Sequence, residues 1–360
     1  MQYKREEVRD MNLYGEILKK LEGTPCLALE RSFVGEEGNL TDMRCELKEG
    51  AEASEIGKEA LTQGQPVCGR AGSSWNVAEP FFPKERLIIL GGGHVALPVA
   101  EFGARVGFLV TVVDDRLSFA NPGRFPMAEK VICDDFGHAI KELKIQESDY
   151  ICIVTRGHRH DADCLRMIGK GKEKEPAYLG MIGSRRRVGI VKQELLEEGY
   201  DPERMSRLKS PIGLKIGGVT PEEIAISILA EIIQVKRMDR EDKRVKNRSD
   251  LDFDVLKRLA EEPDEPKAVV TVIESKGSSP RGAGAKMIVY RDGRILGSIG
   301  GGCSEAAVLG EARSLIGSGR YKVVHVDLTG EAAEDEGMVC GGIMDVLVED
   351  FATDREPCDR

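Results

Sequence analysis

Residues 86–115 constrain the fold more than any other stretch. They read RLIIL, then GGGHVALPVAEFGARVGF, then LVTVVDD. The pattern is a strand, a glycine turn, a helix and a second strand. A helical crossover between two strands of one sheet makes those strands parallel. The alternation repeats loosely through KVICD, a helical stretch around AIKELK, the strand-like DYICIVT, the helical DADCLRMIGKG and AYLGMIG. Strands alternating with helices predict a parallel sheet covered on both faces. Residues 219–237 (VTPEEIAISILAEIIQVKR) read as a capped amphipathic helix. Thr220 is its N-cap, Pro221 its first helical residue, and Glu223 completes a capping box.

The style changes after residue 266. KAVVTVIESKGSSPRGAGAKMIVYRDGRILGSIGGGC splits short β-branched runs with glycine turns and predicts an antiparallel sheet with a flanking helix. The N-terminal segment carries a faint echo of it: ASEIGKEALTQGQPV resembles AVLGEARSLIGSGRYKV, and NVAEPFFP resembles DVLVEDFA. The predicted fold class is therefore α/β. It combines a Rossmann-like parallel-sheet domain, a smaller mixed α+β glycine-cysteine domain and a degenerate N-terminal copy of the latter. The expected boundaries are 1–85 for the degenerate copy, 86–237 for the Rossmann-like domain, 238–266 for a charged linker or helix, and 267–360 for the glycine-cysteine domain.

Composition narrows the function. Lys and Arg number 52 against 62 Asp and Glu, a net charge of −10, which argues against a general nucleic-acid or anionic-membrane partner. The opening MQYKREEVRD has no signal-peptide core, and no stretch approaches the ~20 apolar residues of a membrane span. A cytoplasmic location is expected. The nine cysteines include no CxxC pair, so a disulfide framework is not expected. Cys133 and Cys152 lie in strand-like apolar runs and are read as inert core residues.

Two clusters carry candidate chemistry. In the first, Gly91, Gly93 and Ala96 form a G-x-G-x-x-A turn between a strand and a helix. Gly91 permits the turn and Gly93 lets a phosphate approach the helix N-terminus. Asp114 ends the next strand, where a ribose-binding acid belongs. His94, His158, Asp161 and Arg185 fall at the carboxyl edge of the same sheet. Phosphate contact or mutual hydrogen bonding suits them better than a metal, because H-x-H-D is no zinc signature. In the second cluster, Gly300, Gly301 and Gly302 lead into Cys303 at a helix start. Successive glycine N–H groups can form an anion nest, and the helix N-terminus stabilises a thiolate. Cys340 sits beside a second glycine pair, Gly341 and Gly342, and Ser278, Ser279 and Arg281 are candidate phosphate donors beside a tight turn.

At these motifs the chain resembles the XdhC/CoxI family, accessory proteins of molybdenum hydroxylases of the xanthine dehydrogenase type. GSSPR, GAKM, GSIGGGCSEAAV and VCGGIMDVLVE resemble its glycine-cysteine domain. GGGHVALPVA, VVDDRLSFANPGRFP, TRGHRHDADCL, LGMIGSRRRV and PIGLKIGGVTPEEIAISILAEI resemble its Rossmann domain. In the usual family arrangement the cysteine domain comes first, whereas here the intact copy follows the Rossmann domain. The resemblance implies a cofactor chaperone rather than an enzyme. Such a protein binds molybdenum cofactor (molybdopterin), protects it, supports its sulfuration and delivers it to an apo molybdenum hydroxylase. It implies a cysteine desulfurase as a further partner and a homodimer as the assembly. Cys303 and Cys340 would then lie near the metal or the exchanging sulfur, on one glycine-lined surface facing the Rossmann edge in the same chain or across a dimer. NAD(P) or another nucleotide is the expected ligand of the Rossmann cleft. The alternative is an NAD(P)-dependent oxidoreductase using a Cys303/Cys340 redox pair, and a third reading is a scaffold with a vestigial site.

Cys303 is expected to titrate below the ~8.5 of a free thiol. Alkylation rates against pH, resolved cysteine by cysteine, check this; a free-thiol profile at Cys303 removes the electrostatic argument.

Overall fold

The RLIIL run is apolar at every position after Arg86 because both of its faces are covered. Leu87 and Ile89 point into one core and Ile88 and Leu90 into another, as alternation along a buried parallel strand requires. The computed structural model describes residues 12–36, 39–169, 175–238, 247–262, 264–277, 279, 281–327 and 342–351. The chain divides into two compact units: Met1–Pro83 with Lys246–Arg360, and Lys84–Val245. No helix among the described residues is long and apolar enough to cross a membrane.

In chain order the first unit begins with α1 (Leu13–Leu21), β1 (Leu27–Glu36), β2 (Asn39–Glu49), α2 (Glu55–Gln63), β3 (Val67–Ala71) and β4 (Ser74–Phe81). The second unit follows. It contains β5 (Arg86–Leu90), α3 (Ala96–Arg105), β6 (Leu109–Asp114), β7 (Lys130–Cys133), α4 (Phe136–Leu143), β8 (Tyr150–Ile153), α5 (His158–Gly169), β9 (Tyr178–Met181), α6 (Arg185–Glu197), α7 (Pro202–Arg207) and α8 (Pro221–Met238). The chain then completes the first unit with α9 (Phe253–Glu261), β10 (Lys267–Gly277), β11 (Lys286–Tyr290), β12 (Ile295–Gly297), α10 (Gly302–Leu315), β13 (Tyr321–Asp327) and β14 (Gly342–Phe351).

The second unit is a parallel sheet in the order β7-β6-β5-β8-β9. The chain runs outward from β5 through β6 to β7, then restarts at β8 on the other side. The topological switch therefore lies between β5 and β8, where open α/β sheets bind ligands. Residues of α3 and α8 pack on one face of the sheet and those of α4, α5 and α6 on the other. α8 starts as its sequence predicts: Glu223 accepts from the N–H groups of Val219 and Thr220, and Thr220 Oγ1 accepts from Glu223 N–H at 3.3 Å. One expectation fails. Cys152 is buried, but Cys133 is exposed, because β7 is an edge strand and Cys133 is its last residue.

Among the described residues the first unit is one antiparallel sheet of nine strands, β12-β11-β10-β14-β13-β2-β1-β4-β3. Its two halves repeat a topology. The order β11-β10-β14-β13 matches β2-β1-β4-β3, with a helix before the first strand and another between the second and third strands of each matching set. Register makes the match specific. Leu27 faces Phe81 as Lys267 faces Phe351, and Leu29 faces Glu79 as Val269 faces Glu349. Glu79 and Glu349 thus hold equivalent positions. Among its described residues the N-terminal half has no counterpart of β12, and its sequence has no counterpart of the glycine run after it. The two leading helices pack together: Tyr14, Ile17 and Leu21 of α1 share a core with Val255, Leu256 and Leu259 of α9. Asn12 caps α1 and donates to the Leu259 carbonyl at 2.7 Å. α9 thus lies inside the charged stretch read as a linker or exposed helix, and it buries one face.

A buried ionic cluster joins the halves. Arg31 on β1 donates to Glu79 on β4 at 2.7 Å and to Glu349 on β14 at 2.5 Å. Lys286 on β11 lies 2.8 Å from Glu79 and donates to Thr271 on β10 at 2.8 Å. None of the five is more than 5% exposed. Burial pushes the Lys286 ammonium down from its ordinary pKa, against the pull of Glu79. Two acids and two bases balance. Glu79→Ala leaves Lys286 and half of Arg31 uncompensated, and breaking a buried pair in this way costs about 3–5 kcal/mol. The expected outcome is a lower urea midpoint for this unit, read from the chain's one tryptophan, the buried Trp75. An unchanged midpoint would remove the cluster as the tie between the halves.

Candidate functional site

The Rossmann-like unit builds its candidate site from the turn after β5. Gly91 has φ +113°, and a Cβ there would stand 2.5 Å from the Val154 carbonyl oxygen. Only glycine fits. A Cβ on Gly92 would meet the Phe119 carbonyl oxygen at 2.2 Å. Gly93 differs: its φ is ordinary, and a Cβ there would have nothing within 4 Å. The protein does not need glycine there, so the position is open to an approaching ligand. Val95 precedes α3 without a side-chain cap, and the first-turn N–H groups together with the helix dipole favour an anion. Arg124 donates to the carbonyls of Gly92 and Gly93 at 3.2 and 3.3 Å and braces the turn.

Asp114 ends β6 where expected, but its carboxylate is in use. It accepts from Gly92 N–H at 2.8 Å, from Arg116 N–H at 3.1 Å, and from the Arg116 guanidinium at 2.8 and 2.9 Å. Four donors fill the roughly four acceptor positions of a carboxylate. Burial pushes its pKa up, yet the bonds from Arg116 and Gly92 prevail and hold it below the usual range. The expected ribose acceptor is therefore a brace for the glycine turn. Arg116 also lies 3.8 Å over the Phe119 ring. Asp115 and Arg156 follow β6 and β8, the two neighbours of β5, so their ion pair, 2.8 Å at Nη2–Oδ2, passes over the carboxyl end of β5. Arg156 holds the Asp115 carboxyl down at about 2.

The remaining predicted residues of this edge divide. His94 is exposed. Asp161 is fully buried and binds Thr155 and Arg187. Burial pushes its carboxyl up against those two partners. It ties the start of α5 to the start of α6 and is not presented to a ligand. His160 packs edge-on to Phe136. Arg185 and Arg186 are exposed, while Ser184 caps α6 at Arg187 N–H. The side chain of His158 lies outside the described residues. Among the described residues no group of three or more His, Cys, Asp or Glu could hold a metal ion.

In the first unit, strand pairing brings the glycine segments to one end of the sheet. Gly277 closes β10 opposite Gly342, which opens β14. Gly297 closes β12 opposite Met287, next to the start of β11. The 278–285 connection and the glycine run therefore leave from the same end at which β14 begins. Ser278, Cys340 and Gly341 lie outside the described residues, as does the side chain of Cys303. Gly300, Gly301 and Gly302 have φ of 137°, 71° and 52°, a region that favours glycine. Cys303 is the second residue of α10.

Two findings depart from the sequence reading. Arg281 is not free for a phosphate: it donates to Asp250 Oδ2 at 2.7 Å and to the Asp250 carbonyl at 2.9 Å, while Gly282 N–H donates to the same carboxylate at 3.0 Å. Ser279 Oγ donates to the Arg281 carbonyl at 2.8 Å. These bonds fold the loop onto the segment before α9. The second finding is Glu305, which the sequence reading missed. Its Oε1 accepts from Ser298 Oγ at 2.6 Å, Gly301 N–H at 3.0 Å and Ile299 N–H at 3.3 Å. The available signal was an acid in the first turn of a helix that reaches back to the N–H groups before it.

Residues 87–232 match the family model described as the XdhC Rossmann domain, and residues 260–327 match that of the XdhC and CoxI family. The chain is 36% identical over 170 residues to an uncharacterized protein YqeB of Escherichia coli (strain K12), covering 47% of this chain and 30% of that protein. It is 34% identical over 155 residues to a probable xanthine dehydrogenase subunit of Bacillus subtilis (strain 168), covering 43% of this chain and 44% of the other. It is 40% identical over 74 residues to the molybdenum cofactor insertion chaperone PaoD of Escherichia coli (strain K12), covering 21% of this chain and 23% of that one. The matched region spans less than half the length of each of these relatives.

The two glycines of the Rossmann turn are expected to behave oppositely. Gly91→Ala combines a left-handed φ with a clash against backbone and should cost about 2–5 kcal/mol. Gly93→Val should leave the melting temperature nearly unchanged, as for an unconstrained surface site, while abolishing ligand binding. Thermal melts and calorimetry with NAD(P), nucleotides and cofactor fragments check both. Unchanged binding in Gly93→Val would reduce the turn to a packing device.

Proposed function

This chain belongs to the XdhC and CoxI family, and from that premise we propose that it is an accessory protein for a molybdenum hydroxylase, carrying molybdenum cofactor as cargo. It shields the cofactor, supports its sulfuration with a cysteine desulfurase, and delivers it to the apo-hydroxylase. The observation that carries the reading is the convergence on one sheet end of the glycine run before Cys303, the 278–285 connection and the glycine that opens β14. A thiol in the first turn of a helix suits a soft molybdenum–dithiolene centre. Relatives named for cofactor insertion and for xanthine dehydrogenase agree with it.

The Rossmann-like unit serves this role as a phosphate-binding platform. Open Gly93 and the uncapped start of α3 suit a phosphate or a nucleotide. The oxidoreductase alternative draws less support, because Asp114 has no acceptor position to spare for a ribose hydroxyl.

Mass spectrometry of small molecules released from native protein tests the reading. Protein purified from cells that make the cofactor is expected to release a molybdopterin-derived pterin, and Cys303→Ala should release much less at unchanged fold. Release of NAD(P) with no pterin, or equal activation of an apo-hydroxylase by wild type and Cys303→Ala, would overturn it.

A further inference from the structure

The glycine run before Cys303 is the natural place to seat a cofactor phosphate, yet its N–H groups already have an acceptor. Glu305 Oε1 takes the N–H groups of Ile299 and Gly301 and the hydroxyl of Ser298. The N–H of Gly300 in turn donates to Ser298 Oγ at 3.1 Å. Every amide from Ile299 to Gly301 is therefore directed at this carboxylate or at the hydroxyl bound to it. The N–H groups of Ile299 and Gly301 converge on one carboxylate oxygen, as backbone donors converge on a bound anion. A carboxylate in the first turn of α10 also complements the helix dipole. A phosphate arriving at the same amides would meet a full negative charge within hydrogen-bonding distance and would lose the donors it came for.

We propose that Glu305 is the resident anion of the Gly300–Gly302 turn: a positioning residue that fixes the Cys303-bearing start of α10 and excludes phosphate from these amides. The inference rests on the proposed function for the identity of the cargo and relocates that cargo's phosphate away from the turn. The turn here holds the thiol in place, and anion binding falls to other groups. Glutamate is well suited to this role because its side chain is long enough to reach back from the helix to the amides preceding it.

The test uses the full-length chain with peptide-resolved hydrogen exchange over residues 298–303, alkylation of Cys303, and inorganic phosphate as the probe. In wild type, phosphate is expected to change neither the exchange of the Ile299 and Gly301 amides nor Cys303 alkylation. In Glu305→Ala these amides should exchange about tenfold faster, the factor for losing ~1.4 kcal/mol of local protection. Added phosphate should then slow them again, because the amides are left without their acceptor. Glu305→Gln retains an acceptor oxygen and should rescue slow exchange and the wild-type alkylation rate. Trp75 fluorescence confirms that each variant is folded, and should Glu305→Ala not fold, the wild-type and Glu305→Gln arms still decide. Phosphate slowing these amides in wild type, or exchange unchanged in folded Glu305→Ala, or Glu305→Gln exchanging as fast as Glu305→Ala, would overturn the proposal. None of these measurements uses the molybdenum cofactor, so a chain that releases no pterin can still show the effect.

Discussion

Four buried charges tie the two halves of the larger unit together. Arg31, Glu79, Lys286 and Glu349 come from β1, β4, β11 and β14, two from each half of the internal repeat. A buried charge without a partner is costly, and a balanced, hydrogen-bonded group is tolerated. Glu349 takes its guanidinium from the N-terminal half, and Lys286 takes its carboxylate from there too. The glycine-cysteine half therefore has no complete inner face without the half that lost the motifs. This gives the degenerate copy a physical reason to persist: it supplies counter-charges and a packing surface while its partner supplies the candidate site.

A second constraint recurs in both units. Each contains a glycine turn whose amides point at a carboxylate of the same chain: Gly92 at Asp114, and Ile299 and Gly301 at Glu305. Glycine-rich turns gather unpaired N–H groups, and buried or crowded donors need acceptors. Where the ligand is not the acceptor, the protein must be. The two turns differ in what remains. At the first, Gly93 and the start of α3 stay open beyond the braced residues. At the second, Glu305 takes the amides of Ile299 and Gly301, and that of Gly300 goes to the Ser298 hydroxyl bound to the same carboxylate.

Charged residues near these turns were the least legible part of the chain. Arg281 lies in a loop that reads as a phosphate cradle, but its guanidinium is held by Asp250, thirty-one positions earlier in sequence. Asp161 stands in a polar run at the ligand edge, but it is buried against Thr155 and Arg187. In each case the residue type was right for an anion or a metal, and a long-range partner took it first. Cys133 shows the same limit in reverse. It sits in a strand-like apolar run, and it is exposed because it ends an edge strand, which nothing in the local pattern marks.

Features that depend on residues a few positions apart were legible before any coordinates. The parallel sheet follows from alternating runs, the capping box at Thr220 and Glu223 from spacing, and the need for glycine at Gly91 and Gly300 from the conformations only glycine adopts easily. The family was legible too, because its motifs are contiguous. Which charges meet was decided only when the chain folded. The pairing of Arg31 with Glu349 spans 318 positions and that of Lys286 with Glu79 spans 207. Which carboxylate fills a turn depends on geometry set after the strands pair, since many acids in the chain have the chemistry and few arrive within hydrogen-bonding distance.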